Sequence, residues 1–198
     1  MASVIGRLRN LGTAARDSAA RAVVGRFVRS ARGATAVEFS LVALPFFALM
    51  FAILETALTF FAQNYFEDTL ARVARQVRTG QAQKVEMTSD QFKAAMCVYL
   101  APMFNCPGGL SIDLKKFSSF GSIDLGIPTV ASGADKGNLD TTNLGFLGNT
   151  KGGDIILVRA YYSWPVFVNR LGNNLATMPN GTHLLVATAA FRNEPFPW

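Results

Sequence analysis

The stretch FSLVALPFFALMFAILETALTFFA, residues 39–62, decides how the rest of the chain is arranged. Its only charged residue is Glu55. As a helix it measures about 36 Å, which is enough to cross a hydrocarbon core of about 30 Å. The alternative is a core helix, but a domain of this size has little core in which to bury so long an apolar helix. The stretch therefore predicts a transmembrane helix.

The net positive charge is confined to an N-terminal arm. Residues 1–33 contain seven arginines and one acid, Asp17, and this difference equals the whole net charge of +6. A short basic flank stays in the cytoplasm, so the arm is predicted to lie inside and the C-terminal part outside. Nucleic-acid binding is the rival interpretation of such an arm. It is disfavoured, and no nucleic-acid partner is expected, because the arm adjoins a membrane helix and has one aromatic residue, Phe27.

A cleaved secretory signal peptide does not fit this N-terminus. The apolar run is longer than the roughly 7–15 residues of a signal h-region, and no small-residue cleavage site follows it. The chain continues instead with QNYFEDTLARVARQVRTG, residues 63–80, which has helical periodicity. An uncleaved signal anchor fits better, unless the chain is cut before the helix.

The chain divides into four parts. Residues 1–33 are a basic cytoplasmic leader, either an amphipathic helix on the inner leaflet or a disordered tail. Residues 34–62 are the transmembrane helix, in which Pro45 is expected to kink the helix or melt it locally. Residues 63–79 continue the helix with an amphipathic pattern in which apolar residues recur every three or four positions: Phe66, Leu70, Val73 and Val77. Residues 80–198 form the periplasmic domain.

The periplasmic domain is predicted to be α+β. A second helix begins near Thr88, which has capping-box spacing to Gln91. Strands are predicted at residues 110–117, 121–126, 154–164 and 183–191, and residues 128–153 are predicted to be mostly loop. A long helix followed by a few antiparallel strands gives a small sheet that covers the exposed helix face, which is a pilin-like architecture.

The two cysteines, Cys97 and Cys106, are separated by a segment short enough to close as a loop. In the cytosol they would be free thiols, but outside the inner membrane of a bacterium they are predicted to form a disulfide. A zinc site is disfavoured because the one histidine, His183, lies far away in sequence. No metal and no other cofactor is expected.

No enzymatic motif stands out. The sequence lacks G-x-S-x-G, H-E-x-x-H and a phosphate-binding glycine loop, so no catalytic residue and no enzymatic activity are predicted. Aromatic residues near the end of the chain are either a surface for other subunits or, as we favour, ordinary core packing. They are Tyr161, Tyr162, Trp164 and Phe167, together with the tail FRNEPFPW.

The stretch RGATAVEFSLVALPFF, residues 32–47, resembles the start of TadE-like pseudopilins of the Tad, or Flp-type (type IVc), pilus assembly system. A basic leader ends in Gly33, a small residue, Ala34, comes next, and Glu38 is the fifth residue after the glycine. ILETALTFF, residues 53–61, also looks like the family, which tends to place an acid near the outer part of this helix. The resemblance is clear over about residues 32–80 and looser beyond.

The resemblance implies that a prepilin peptidase cuts between Gly33 and Ala34. It also implies that Glu38 pairs with the new N-terminal ammonium of a neighbouring subunit. A contact within the chain is open too, because Ala34 and Glu38 lie one helical turn apart, and so is a Glu38 that reaches into the headgroups. Glu55 is expected either near the outer interface and hydrated or against a partner helix.

The expected function is that of a minor pseudopilin in assembly of a Tad pilus for adhesion. Its expected location is the bacterial inner membrane, which it crosses once with the N-terminus in the cytoplasm. Its expected partners are that membrane, the prepilin peptidase, other Tad pilus subunits and assembly-platform proteins. The alternative is an uncleaved signal-anchored periplasmic binding or scaffold protein with no pilus role.

Overall fold

The computed structural model describes residues 31–101, 103–167 and 175–197 of the 198-residue chain. The leader up to residue 30 and part of the connection before the last strand lie outside the described residues. Two compact units are present, one up to Phe51 and one from Ala52 onward.

The first element is a long helix, α1, from Ala31 to Arg78. It continues through Pro45, so the structure has no local melting there, and the kink stays a prediction. From Thr35 to Leu54 no side chain described is buried. The exposed apolar side chains exclude a buried core helix, and by length and composition α1 is able to cross a membrane.

The second half of α1 is the centre of the folded domain. Phe66, Leu70, Val73 and Val77 have at most 2% of their surface exposed, as the helical spacing predicted. The helix ends at Arg78, and Gly80 follows in the left-handed conformation with φ of 79°. A Cβ atom at Gly80 would lie 2.6 Å from the ring of Phe196, so this turn requires glycine for its conformation and for its space.

Three short helices lie between α1 and the sheet. They are α2 (Gln81–Lys84), α3 (Ser89–Leu100) and α4 (Cys106–Gly109). The predicted capping box is present, since Thr88 accepts from the backbone of Gln91 and the Gln91 side chain accepts from the backbone of Thr88. The predicted disulfide joins Cys97 to Cys106, and their Cα atoms are 5.8 Å apart.

The sheet has three antiparallel strands in the order β1–β2–β3. They are β1 (Leu110–Phe117), β2 (Ile155–Pro165) and β3 (Thr182–Arg192). Three of the four predicted strands are therefore confirmed, and so is the α+β class. In the register, Tyr162 pairs with Leu110 on one side and Leu185 on the other, and all three side chains are buried in the core.

The predicted strand at residues 121–126 is wrong. Residues Phe120–Ser122 form a 3₁₀ turn, and the following residues have no ladder partner. The Asp124 side chain accepts the N–H of Gly126 in a local turn, and the Gly126 carbonyl accepts from Arg159 at 2.7 Å. These backbone groups are thus used by side chains, which removes them from strand pairing.

Aromatic side chains fill the space between α1 and the sheet. The ring of Phe104 lies 5.7 Å from Phe66, 4.8 Å from Tyr162 and 5.3 Å from Trp164, measured between centroids. Tyr161 is also buried, so three of the four late aromatics are packed and only Phe167, 79% exposed, is at the surface. The favoured prediction of core packing is therefore confirmed for Tyr161, Tyr162 and Trp164.

The other face of the sheet is covered by the loop between β1 and β2. Asp113 on β1 lies opposite Arg159 on β2, and they form an ion pair at 2.8 Å with 1% and 8% of their side-chain surfaces exposed. Asp113 also accepts from the N–H of Gly145 at 2.9 Å and from Lys115 at 3.1 Å. Asp113 thus binds the loop at Gly145, and Arg159 binds it at Gly126, so the ion pair attaches two parts of the loop to the sheet.

The Asp113–Arg159 pair is predicted to be needed for the stability of the domain. Asp113→Ala leaves the Arg159 guanidinium buried without its carboxylate, which costs about 3–5 kcal/mol. The full chain in detergent micelles should therefore unfold at a lower temperature. The double variant Asp113→Leu/Arg159→Met should recover part of the loss, and equal losses in the single and double variants would contradict this account.

Acid should act through the same carboxylate. Burial raises the pKa of Asp113, but the Gly145 N–H, Arg159 and Lys115 outweigh it, and the pKa lies below its ordinary value. The ionised Asp113 therefore contributes its full share of the folding free energy above the unfolded-state pKa of about 3.9. This contribution is lost as the pH falls through the lower pKa of the folded state. Stability measured against pH should fall less steeply in acid for Asp113→Asn than for the wild type.

The disulfide is predicted to stabilise the domain independently of the membrane helix. It closes a loop with a sequence separation of 9. The loss of chain entropy in the unfolded state gives about 2–3 kcal/mol for a loop of this length. Cys97→Ser/Cys106→Ser should lower the unfolding temperature in micelles, while membrane extraction stays as in the wild type. An unchanged unfolding temperature would show that the bridge contributes nothing.

Candidate processing site and helix carboxylates

The predicted cleavage site lies in the first turn of α1. The helix begins at Ala31, so the peptide bond between Gly33 and Ala34 is helical in the structure. Glycine within a helix is less stable than alanine by roughly 0.5–1 kcal/mol, because it loses the most backbone freedom. The turn that contains the predicted cleavage site is therefore one of the weaker turns of this helix.

Glu38 lies one turn beyond Ala34 on the same helix. Its side chain is exposed, and it forms no salt bridge to any of the residues that the structure describes. If the chain began at Ala34, this carboxylate would stand at position i+4 from a new ammonium group and near the positive end of the helix dipole. The site has the elements for a charge pair that exists only after cleavage.

Glu55 has a hydrogen-bond partner within its own chain. It is only 9% exposed, and its carboxylate accepts the backbone N–H of Phe167. Its carbonyl accepts from the Thr59 hydroxyl at 2.9 Å. Glu55 thus contacts the connection that follows β2 in the same chain. This acid fastens the sheet to the helix.

The domain covers one side of α1 from Glu55 onward. Glu55, Thr59 and Ala62 are buried, whereas the neighbouring side chains of Leu58, Phe60 and Phe61 are exposed. The last turns of the predicted membrane segment 34–62 are therefore lined by protein on one side. The run without any buried side chain, residues 35–54, still measures about 30 Å as a helix, the thickness of a hydrocarbon core.

Phe167 is the residue that the sequence did not single out as a partner of Glu55. An acid in an apolar run signals that a donor must lie nearby, because an unpaired carboxylate is costly there. The donor is a backbone N–H 112 residues away. Since every non-proline residue has such a group, no residue type marks it in a single sequence.

Other reactive side chains do not assemble into a site. In residues 31–101, 103–167 and 175–197 no group of three or more His, Cys, Asp or Glu is placed to hold a metal ion. His183 lies in β3 opposite Trp164, with its Nδ1 2.6 Å from the carbonyl oxygen of Leu175. Burial raises the pKa of Tyr161 to about 12, so this phenol is neutral at physiological pH.

Comparison with known proteins bears on α1. Residues 33–75 match the family model described as TadE-like protein. Residues 33–75 are a TadE-like segment. No curated protein and no solved structure gives a significant match to the chain.

The TadE-like segment begins at Gly33 and contains Glu38, Pro45 and Glu55. Its last part, up to Arg75, includes all the buried apolar residues of α1 except Val77. The resemblance found in the sequence is therefore confirmed over the helix, and the sheet lies outside the matched residues.

Glu55 is predicted to hold the domain against the helix. Glu55→Leu leaves the Phe167 N–H without its acceptor and should cost about 1–3 kcal/mol, whereas Glu55→Gln keeps a carbonyl acceptor and should cost less. Hydrogen exchange of the Phe167 amide in micelles should be faster in the leucine variant than in the glutamine variant. Equal exchange in the wild type and both variants would contradict this contact.

Proposed function

We propose that the protein is a minor pseudopilin of a Tad pilus assembly system, cut by a prepilin peptidase between Gly33 and Ala34. The observation that carries the proposal is the TadE-like match, which starts at Gly33 and runs along α1. The glycine before a small residue, the carboxylate of Glu38 and the exposed apolar helix behind it are the parts that such processing requires.

The proposed topology follows from charge and cysteine chemistry. The seven arginines of residues 1–33 hold the leader in the cytoplasm. The domain from Ala52 onward contains the Cys97–Cys106 disulfide, which suits an oxidising periplasm. The protein then crosses the inner membrane once, and cleavage removes the leader together with the whole formal net charge of +6.

Glu38 is the residue proposed to act in assembly. A carboxylate near the apolar core of a membrane is costly, by roughly 2.5–3.5 kcal/mol at the centre and less near the interface. A neighbouring subunit's N-terminal ammonium, created by the cut, offsets that cost when the two helices meet. Assembly would thus be linked to processing, because an uncut subunit has no ammonium at this depth.

The role is proposed to be accessory. By the family resemblance, the bulk filament subunits of Flp pili are much shorter than this chain. A domain of 147 residues from Ala52 to Trp198 is a large addition to each subunit. The partners are then the prepilin peptidase, other Tad pilus subunits and the assembly platform, and adhesion is the outcome of the assembled pilus.

Complementation of a strain that lacks the gene tests this proposal. The wild type should restore pili, while Gly33→Leu should fail because the cut is blocked and Glu38→Leu should fail because the charge pair is lost. Both variants should still be found in the membrane fraction by immunoblot. Ser40→Ala is the matched control, since Ser40 only donates to the Ala36 carbonyl of its own helix.

Restoration of pili by all three variants would contradict the proposal. It would favour an uncleaved signal anchor that carries a periplasmic scaffold domain, because such an anchor tolerates leucine at both positions. Failure of Gly33→Leu alone would retain the cleavage and remove the assembly role of Glu38.

A further inference from the structure

The outer edge of β3 is partnered by described residues near its start but not in its last part. The backbone N–H of Leu184 donates to the Thr177 hydroxyl at 2.8 Å, so the backbone hydrogen-bonding groups of Leu184 point away from β2. The Val186 carbonyl also faces away, since it accepts from Gln63 of α1 at 2.9 Å. Because outward groups alternate along an antiparallel strand, Thr188 and Ala190 face outward as well.

The outward groups of Thr188 and Ala190 have no hydrogen-bond partner among the described residues. Both residues are exposed, whereas Ala187 is fully buried. Edge strands in natural proteins are normally covered, charged or shortened, because an open edge pairs with other chains. At Thr182, Leu184 and Val186 an outward backbone group of β3 is hydrogen-bonded within the chain. The last part of β3 is therefore where another strand could pair.

A groove of about 690 Å³ lies beside this open part, between β3 and α1. On the helix side its lining includes Ala71 and Ala74, whose small side chains leave room for a backbone. One end is closed, since the N–H of Glu194 bonds the Arg78 carbonyl at 2.9 Å and the two side chains form an ion pair at 3.3 Å. The groove is thus lined by the open part of β3 on one side and by small side chains of α1 on the other.

The charge at the groove indicates what enters it. Arg75 lines the groove, is exposed and forms no salt bridge to any residue in the described ranges. The acid in the lining, Glu194, is already paired with Arg78. A segment that brings its own carboxylate is therefore favoured over a neutral or basic one.

We infer that this groove binds an extended acidic segment of a partner protein as an added strand beside β3. The partner backbone bonds the N–H and C=O groups of Thr188 and Ala190, its small side chains lie against Ala71 and Ala74, and its carboxylate meets Arg75. This is strand addition, in which the backbone gives affinity and the side chains give specificity. The inference does not depend on cleavage at Gly33.

The test uses the full chain in detergent micelles and a labelled peptide of sequence TATAEATAT, which alternates small and polar residues around one glutamate. Binding should be saturable and should slow amide exchange at Thr188 and Ala190. Ala190→Pro removes an outward N–H without breaking the ladder to β2, and it should weaken binding at least about tenfold. The N-terminal arginines are the same in both proteins, so their attraction for the peptide cancels.

The second variant reverses the charge. Arg75→Glu should weaken binding of TATAEATAT at least about tenfold and should favour the counterpart TATAKATAT instead. Unfolding temperatures near the wild-type value show that both variants fold. Three results would overturn the inference: no saturable binding, equal binding by the wild type and Ala190→Pro, or a dimer of the wild type that Ala190→Pro converts to monomer. The last would assign the groove to a second copy of this chain.

Discussion

The burial of one face of α1 against the inner face of the sheet is the interaction on which the rest of the structure depends. The three-stranded sheet has an apolar face that must be buried against another element. The helix supplies that partner with Phe66, Leu70, Val73 and Val77. The same helix carries the apolar run that precedes them, so the apolar run and the core face are parts of one element.

Two further contacts determine which part of the helix the sheet can occupy. Near the apolar run, the Glu55 carboxylate accepts the Phe167 N–H after the end of β2. At the other end, Glu194 bonds the last turn of α1 through its backbone and through Arg78. Between these two contacts the sheet lies along about 23 residues of α1, from Glu55 to Arg78.

Local sequence patterns predicted much of this fold. The features that they missed depend on contacts between residues far apart in the sequence. Helical spacing located the core face of α1, and the Thr88–Gln91 capping box located the start of α3 within one residue. Alternation found β1, but it could not show that Asp113, on the polar face, is buried beneath a loop and paired with Arg159. The apparent strand at 121–126 failed for the same reason, because Arg159 takes its carbonyl groups. The role of Glu55 stayed open because its partner is a backbone group far along the chain.

The central claim is that the TadE-like segment becomes the N-terminus of the mature protein. The most direct test is the intact mass of the protein purified from native membranes, with and without the cell's prepilin peptidase. The account predicts a chain that starts at Ala34 when the peptidase is present and a chain that keeps residues 1–33 when it is absent. A chain that keeps those residues in both strains would contradict the account and identify the helix as a permanent signal anchor.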